Sequence, residues 1–138
     1  MKYETIVSLN SLSTIIWVSG PYKGSVHDLT CARDSLVPWL HEQNERSIGD
    51  CGYVGEHVFI TPIKGAVGEE QLRWNYIINH FRSRVENVFA RFKVFKCLST
   101  AWRHPLDLHP LVFYLCANII NLKIKYEIWK KFIILLAN

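Results

Sequence analysis

Two carboxylates stand out for what surrounds them. Asp50 lies in "SIGDCGYVGEHVFITP", Ser47 to Pro62, between a short apolar segment and a glycine turn, which places it at the end of a strand. Glu86 is the single acid between Gln71 and Leu106, among the seven bases Arg73, Arg82, Arg84, Arg91, Lys93, Lys96 and Arg103. An acid at a strand end and a second acid on a helix facing it are the pieces of a two-metal phosphoryl-transfer site. Two Mg2+ ions about 3.5 to 4 Å apart need carboxylates from different elements, so that one ion activates the attacking oxygen and the other stabilises the leaving oxygen. Spacing alone also allows a plainer and commoner reading. Arg82 and Glu86, four apart on a helix, form a surface ion pair worth a few tenths of a kcal/mol.

The elements that must position these acids follow from periodicity. In "KYETIVSLN" the residues Tyr3, Thr5, Val7 and Leu9 alternate onto one face of a strand, and "TIIWVSG" follows a polar turn at Asn10 to Ser13, so the two predict a hairpin. The peptide "GPYKGS" breaks the sheet. Ser25 is expected to cap a helix through "VHDLTCARDSLVPWLHEQ", with Asp28 in its first turn and Pro38 marking a kink or an end. A short strand at "RSIG" leads into Asp50 and the turn "CGYVG", and another at "HVFIT" is closed by Pro62.

From about Glu70 to Phe95 the period is that of a helix, with Ile77, Phe81, Val85, Val88, Phe92 and Phe95 expected to face the core. Glu86 points the other way with Asn79, Arg82, Ala90 and Lys93, and the small Ala90 leaves space beside its carboxylate. After the loop "STAWRHPLD", the residues Leu111, Leu115, Ile119 and Leu122 predict a second apolar stripe on the same core, with Pro110 tolerated in the first turn.

Composition sets the frame for these elements. At 138 residues and 49% hydrophobic content the chain suits one α/β domain, and no repeat or Gly/Ser linker divides it. A net charge of +4 favours an anionic partner without deciding one. The cysteines Cys31, Cys51, Cys97 and Cys116 are scattered, form no CxxC pair and follow no secretory signal, so free thiols in an intracellular, reducing compartment are expected. The most apolar run, "FIILLA" at Phe132 to Ala137, is too short for a membrane span, so no membrane association is expected. A zinc site from His27, Cys31, Cys51 and His57 lacks the close cysteine pairs of structural zinc centres, and no GxSxG elbow supports a serine hydrolase. Among the helix aromatics only Trp74 falls outside core spacing and is placed to stack on a base.

Three stretches carry a family likeness: "GPYKGSVHDLTCARDS", "IGDCGYVGEHVFITPIKG" and "WNYIINHFRSRVENVFARFKVFKCL". Within them "GSxHD", "GDxGY" and "RxxVExxFxxxK" are read as Gly24-Ser25-His27-Asp28, Gly49-Asp50-Gly52-Tyr53 and Arg82-Val85-Glu86-Phe89-Lys93. Each is weak alone; the three in order, over roughly Lys2 to Lys125, closely resemble the DDE superfamily endonucleases, specifically the Harbinger-type transposases and their host-derived relatives. The resemblance implies an RNase H-like mixed sheet flanked by helices, DNA as substrate, Mg2+ or Mn2+ as cofactor, and a triad of two aspartates and a glutamate. Asp50 matches the second aspartate and Glu86 the glutamate, both as catalytic residues and metal ligands. It also favours Arg82 and Lys93, which flank Glu86, as phosphate contacts. His27 and Asp28 are expected to cap the helix or support the site from behind its ligands.

The resemblance puts the family's first aspartate on a strand upstream of "KYETIVSLN". This chain begins at that hairpin, so a truncated copy is expected, with the first strand missing and cleavage impaired. Glu4, Asp28 and Asp34 are the nearby acids, and none matches the missing position. The expected organisation is a partial nuclease domain over 1–127 and an unassigned tail over 128–138. A nuclear location and a separate DNA-binding partner protein belong to the same expectation. The competing reading is a non-catalytic, transposon-derived DNA- or protein-binding module.

Overall fold

The computed structural model describes residues 1–10 and 12–136, with side chains described through residue 130. The predicted hairpin forms from strands β1 (Lys2–Val7) and β2 (Ile15–Tyr22), paired antiparallel with register shifts after Lys2 and after Ile6. These irregularities disturb the expected alternation. Tyr3 and Val7 do face one core, but Leu9 is exposed, while Glu4 is the buried polar residue on the strand. At the turn, Asn10 Oδ1 accepts from the backbone N–H groups of Leu12 and Ser13, at 3.1 and 3.2 Å, an arrangement that holds the chain reversal locally.

The single helix expected after Ser25 is two helices, α1 (Asp28–Asp34) and α2 (Leu36–Gln43), broken at Ser35. His27, not Ser25, is the N-cap of α1: its Nδ1 accepts from Leu29 N at 3.2 Å. Ser35 is held by hydroxyl hydrogen bonds to Ser19 and Tyr22, 2.7 and 2.8 Å, so the break is fixed to β2 and lies ahead of Pro38. Pro38 sits in the first turn of α2, where its missing N–H costs nothing. Next come β3 (Ser47–Ile48), a 3-10 turn at Cys51–Tyr53, and β4 (Phe59–Ile60), with β3 and β4 parallel. Helix α3 (Glu69–Lys93), a short α4 (Lys96–Ser99) and α5 (Leu108–Leu136) complete the chain.

The hairpin lies between two apolar cores, giving an α/β arrangement in layers. On one side Val7 and Ile15 pack with Val88 and Phe92 of α3 and Phe113, Cys116, Ala117, Ile120 and Ile124 of α5. On the other, Ile6 and Trp17 cover Ala32, Leu36, Val37 and Leu40 of α1 and α2 together with Val58 and Phe59. Helices flank the strands as expected. Among the described residues, however, the strands form two separate two-stranded sheets, β1-β2 and β3-β4, and no single mixed sheet. No described helix is long and apolar enough to cross a membrane.

The apolar stripe expected of α5 requires correction. Leu111, Leu115, Ile119 and Leu122 face away from the core at 40 to 67% exposure, and the buried face is the opposite one. Both faces are apolar, so periodicity alone could not choose between them. In α3 the expected stripe is partly met: Val88 and Phe92 are buried and Val85 and Phe95 pack against them, but Ile78 is buried in place of Ile77.

Candidate active site

Asp50 follows β3 directly and caps the next turn. Its Oδ1 accepts from Gly52 N at 2.7 Å, so one carboxylate oxygen is committed to the backbone and the other makes no described hydrogen bond. Two glycines are required by this packing. A Cβ at Gly49 would lie 3.0 Å from the Tyr53 ring, and one at Gly52 would meet Asp50 Oδ1 at 2.9 Å and Asp28 Oδ2 at 3.4 Å. The "GDxGY" pattern is therefore a packing unit, in which the tyrosine folds back on the first glycine while the second lets the two carboxylates approach.

Asp50 and Glu86 open onto the same cleft, of about 440 Å³. One wall is the run Tyr3 to Leu9, the second is Glu45 to Asp50, and the third is α3 through Phe81, Arg82, Val85, Glu86 and Phe89. Consecutive residues of β1, not alternate ones, line it, so the strand presents its backbone edge and not a face. That edge of β1 has no strand partner among the described residues, since β1 pairs only with β2. Two buried side-chain oxygens on it, Glu4 Oε2 and Thr5 Oγ1, have no hydrogen-bond partner among the described residues.

Glu86 is exposed and forms no ion pair or hydrogen bond among the described residues, so the expected pair with Arg82 is not made. Arg82 lines the cleft beside it, with Nη1 donating to Asn79 Oδ1 at 3.4 Å. Lys93 is exposed but does not line the cleft. Asp28 receives Lys2 Nζ at 2.8 Å and lies across Gly52 from Asp50, while His27 is occupied in capping α1. Two of the nearby bases are structural: Arg84 donates to the carbonyls of Leu9 and Asn10, and Arg91 pairs with Glu127 at 3.4 Å. Trp74 is 43% exposed, with its indole N–H donating to Thr61 O.

Glu4 matches no site position of the family likeness. The structure brings it to the cleft, 5% exposed, with Oε1 accepting from Tyr53 O–H at 3.2 Å. Burial pushes its carboxyl up to about 7, opposed by the Tyr53 hydrogen bond and reinforced by the Asp28 charge. Burial also pushes the Tyr53 hydroxyl up, so it stays a donor. An acid set into an otherwise β-branched and aromatic strand was the available signal.

No cluster of three or more His, Cys, Asp or Glu side chains close enough to hold a metal occurs among the described residues. What the cleft offers a hard divalent ion is two carboxylates: among the described residues Asp50 has an uncommitted oxygen and Glu86 has no partner, both line one cleft, and Mg2+ keeps several waters and needs only one or two protein carboxylates.

No curated protein and no solved structure matches the chain. A family model described as DDE superfamily endonuclease matches residues 1–121, covering β1 through the first half of α5 and both Asp50 and Glu86. With the match running through every wall of the cleft, the chain belongs to the DDE superfamily endonucleases.

Proposed function

We propose that this chain is a Harbinger-type, transposase-derived DNA endonuclease module in which Asp50 and Glu86 hold Mg2+ or Mn2+. The observation that carries the reading is that both acids, from elements far apart in sequence, line one cleft beside the unpaired edge of β1. Family membership supplies the DNA substrate and the general dependence on a divalent metal. A bound ion would polarise a phosphoryl oxygen and lower the pKa of a coordinated water. The residues of the chain do the rest. Asp50, fixed by its own turn, presents one oxygen in a constant direction. Glu86 approaches from α3, and Arg82 on the same wall offers a guanidinium to a phosphate oxygen. Lys93, further along α3, extends phosphate contact beyond the cleft.

Two carboxylates are short of a two-metal set, which needs a bridging acid to neutralise charge between the ions. Phosphodiester cleavage by these 138 residues is therefore impaired. An acid-bearing strand seated along the open edge of β1 would complete the set. That edge, with two side-chain oxygens that find no partner among the described residues, leaves room for such a strand. A nuclear location and a separate DNA-binding protein are consistent with the nuclease reading. The non-catalytic binding module is the second reading, favoured by there being no three-acid cluster on the cleft among the described residues.

The test is Mn2+ binding followed by electron paramagnetic resonance, alongside nicking of supercoiled DNA. Weak binding abolished by Asp50→Ala or Glu86→Ala, with little nicking, is expected. Fusing an extended, aspartate-bearing segment ahead of Met1 should restore nicking; its failure to do so, with Mn2+ binding intact, favours the module. Robust nicking unaffected by Glu86→Ala overturns the assignment.

A further inference from the structure

Helix α5 carries two apolar faces, and only one has a partner. Phe113, Cys116, Ala117, Ile120 and Ile124 are buried against the hairpin and α3. On the other side Leu111, Leu115, Ile119, Leu122, Tyr126 and Trp129 are 65, 59, 40, 67, 68 and 69% exposed. At 100° per residue these six fall within an arc of about 80° that runs for about 27 Å along the helix. At roughly 200 Å² for each large side chain, the stripe exposes about 700 Å² of largely apolar surface. A monomer's largest apolar patch is usually about 300 to 600 Å². One partner in a standard protein interface covers about 800 Å².

We propose that this stripe is a homodimer interface in which α5 pairs antiparallel with α5 of a second copy. The charge pattern selects this occupant and this direction. From Leu108 to Leu122 the helix has no Asp, Glu, Lys or Arg, whereas Lys123, Lys125 and Lys130 all lie beyond it. Glu127, on the same stretch, is turned to Arg91. Parallel pairing would set lysines against lysines. Antiparallel pairing about a twofold axis between Asn118 and Ile119 sets the lysine-bearing half of each copy against the lysine-free half of the other. Leu122 then meets Leu115 of the second copy, Tyr126 meets Leu111, and Trp129 meets Leu108. Lys130 comes beside Asp107, which is exposed just ahead of α5.

The twofold makes the contact isologous, so it closes at two copies and does not propagate. An anionic lipid surface fits less well. A helix lying on such a surface carries bases along its polar flanks, and half of this one has none. None of the stripe residues lines the cleft of Asp50 and Glu86, and the proposal does not rest on the nuclease reading.

Analytical ultracentrifugation of the full chain in the micromolar range should give a dimer. The paired substitution Leu115→Glu with Leu122→Glu should give a monomer with unchanged circular dichroism. Both side chains are exposed within one copy, so the fold does not depend on them. Direction is read by cross-linking in a Cys51→Ser, Cys97→Ser background. Leu115→Cys mixed with Leu122→Cys should form a disulfide-linked pair in at least tenfold excess over Leu122→Cys with itself. Asp107→Lys and Lys130→Glu should each weaken the dimer several-fold, and together restore it. A monomeric wild-type chain, a preference for the Leu122→Cys self-pair, or a monomer that sediments with phosphatidylserine vesicles through this stripe would each overturn the proposal.

Discussion

The two long helices differ in how their sequences commit them to a face. Helix α3 is apolar on one side and charged on the other, so packing Val88 and Phe92 inward leaves Arg82 and Glu86 for the cleft. Helix α5 is apolar on two opposite sides, and whichever face packs leaves the other open. Amphipathicity thus gives α3 a single orientation and a functional side. In α5 the choice falls to complementarity with the hairpin. The small residues Cys116 and Ala117 let α5 approach closely, and Phe113 stacks between Tyr3 and Phe92 with ring centroids 3.9 and 4.6 Å away.

The sharpest test of this contrast pairs one residue from each helix. Phe92→Ala should destabilise the fold by about 3 to 5 kcal/mol, since it empties a stacked site in the larger core. Leu122→Ala, measured by urea unfolding at a dilution where the chain is monomeric, should cost no more than about 0.5 kcal/mol. Equal costs would mean that the exposed face of α5 packs within the same copy.

The cleft beside α3 offers a second test, through Glu4. Its carboxyl is raised to about 7 in the folded chain from an ordinary value of 4.5, so the folded state binds its proton more tightly than the unfolded state does. The associated stabilisation is complete below about pH 4.5 and is lost as pH rises through 7. Glu4→Gln removes the ionisation, and it should stabilise the protein at pH 8 by up to about 3 kcal/mol relative to wild type, with little difference at pH 4.5. Thermal unfolding at the two pH values reads this directly. A uniform effect at both would mean that Glu4 is ionised throughout.

Helix α5 is tied to the hairpin by two polar side chains: His109 Nδ1 lies 2.7 Å from the Tyr3 hydroxyl, and Asn121 bonds the backbone of β2. Asn121 Oδ1 accepts from Ile15 N at 2.9 Å and its Nδ2 donates to Ile15 O at 2.8 Å, so the amide imitates a neighbouring strand on β2. Asn121→Ala should cost about 2 kcal/mol, because both backbone groups of a buried residue lose their partner. Hydrogen exchange at the Ile15 amide should accelerate by more than the global change. Exchange that tracks global unfolding alone would show that the Asn121 amide does not hold Ile15 locally.

The two cleft acids should separate on the smallest scale. Asp50→Ala removes a turn cap and is expected to cost about 1 kcal/mol in addition to metal binding. Glu86→Gln, which breaks no described contact, should leave stability within about 0.5 kcal/mol and affect metal binding alone. A large stability loss from Glu86→Gln would point to a structural partner for this acid.

Local chemistry made much of the chain legible from sequence. The hairpin, the strand before Asp50, the bounds of α3 and the outward direction of Glu86 follow from period and turn residues that act over a few positions. The family likeness rests on the same short patterns, and the match over residues 1–121 supports it at the level of the DDE superfamily. What depended on distant contacts was not legible. The break at Ser35 comes from hydroxyls on β2, the buried face of α5 from its fit to Tyr3 and Phe92, and the place of Glu4 from strand irregularities that turn it into the cleft. Sequence alone determined which residues could bear charge, cap a turn or line a helix, because those properties belong to each residue and its near neighbours. Tertiary structure decided which of them meet, because burial and the orphaning of a polar atom are set only when separate elements close over the same space.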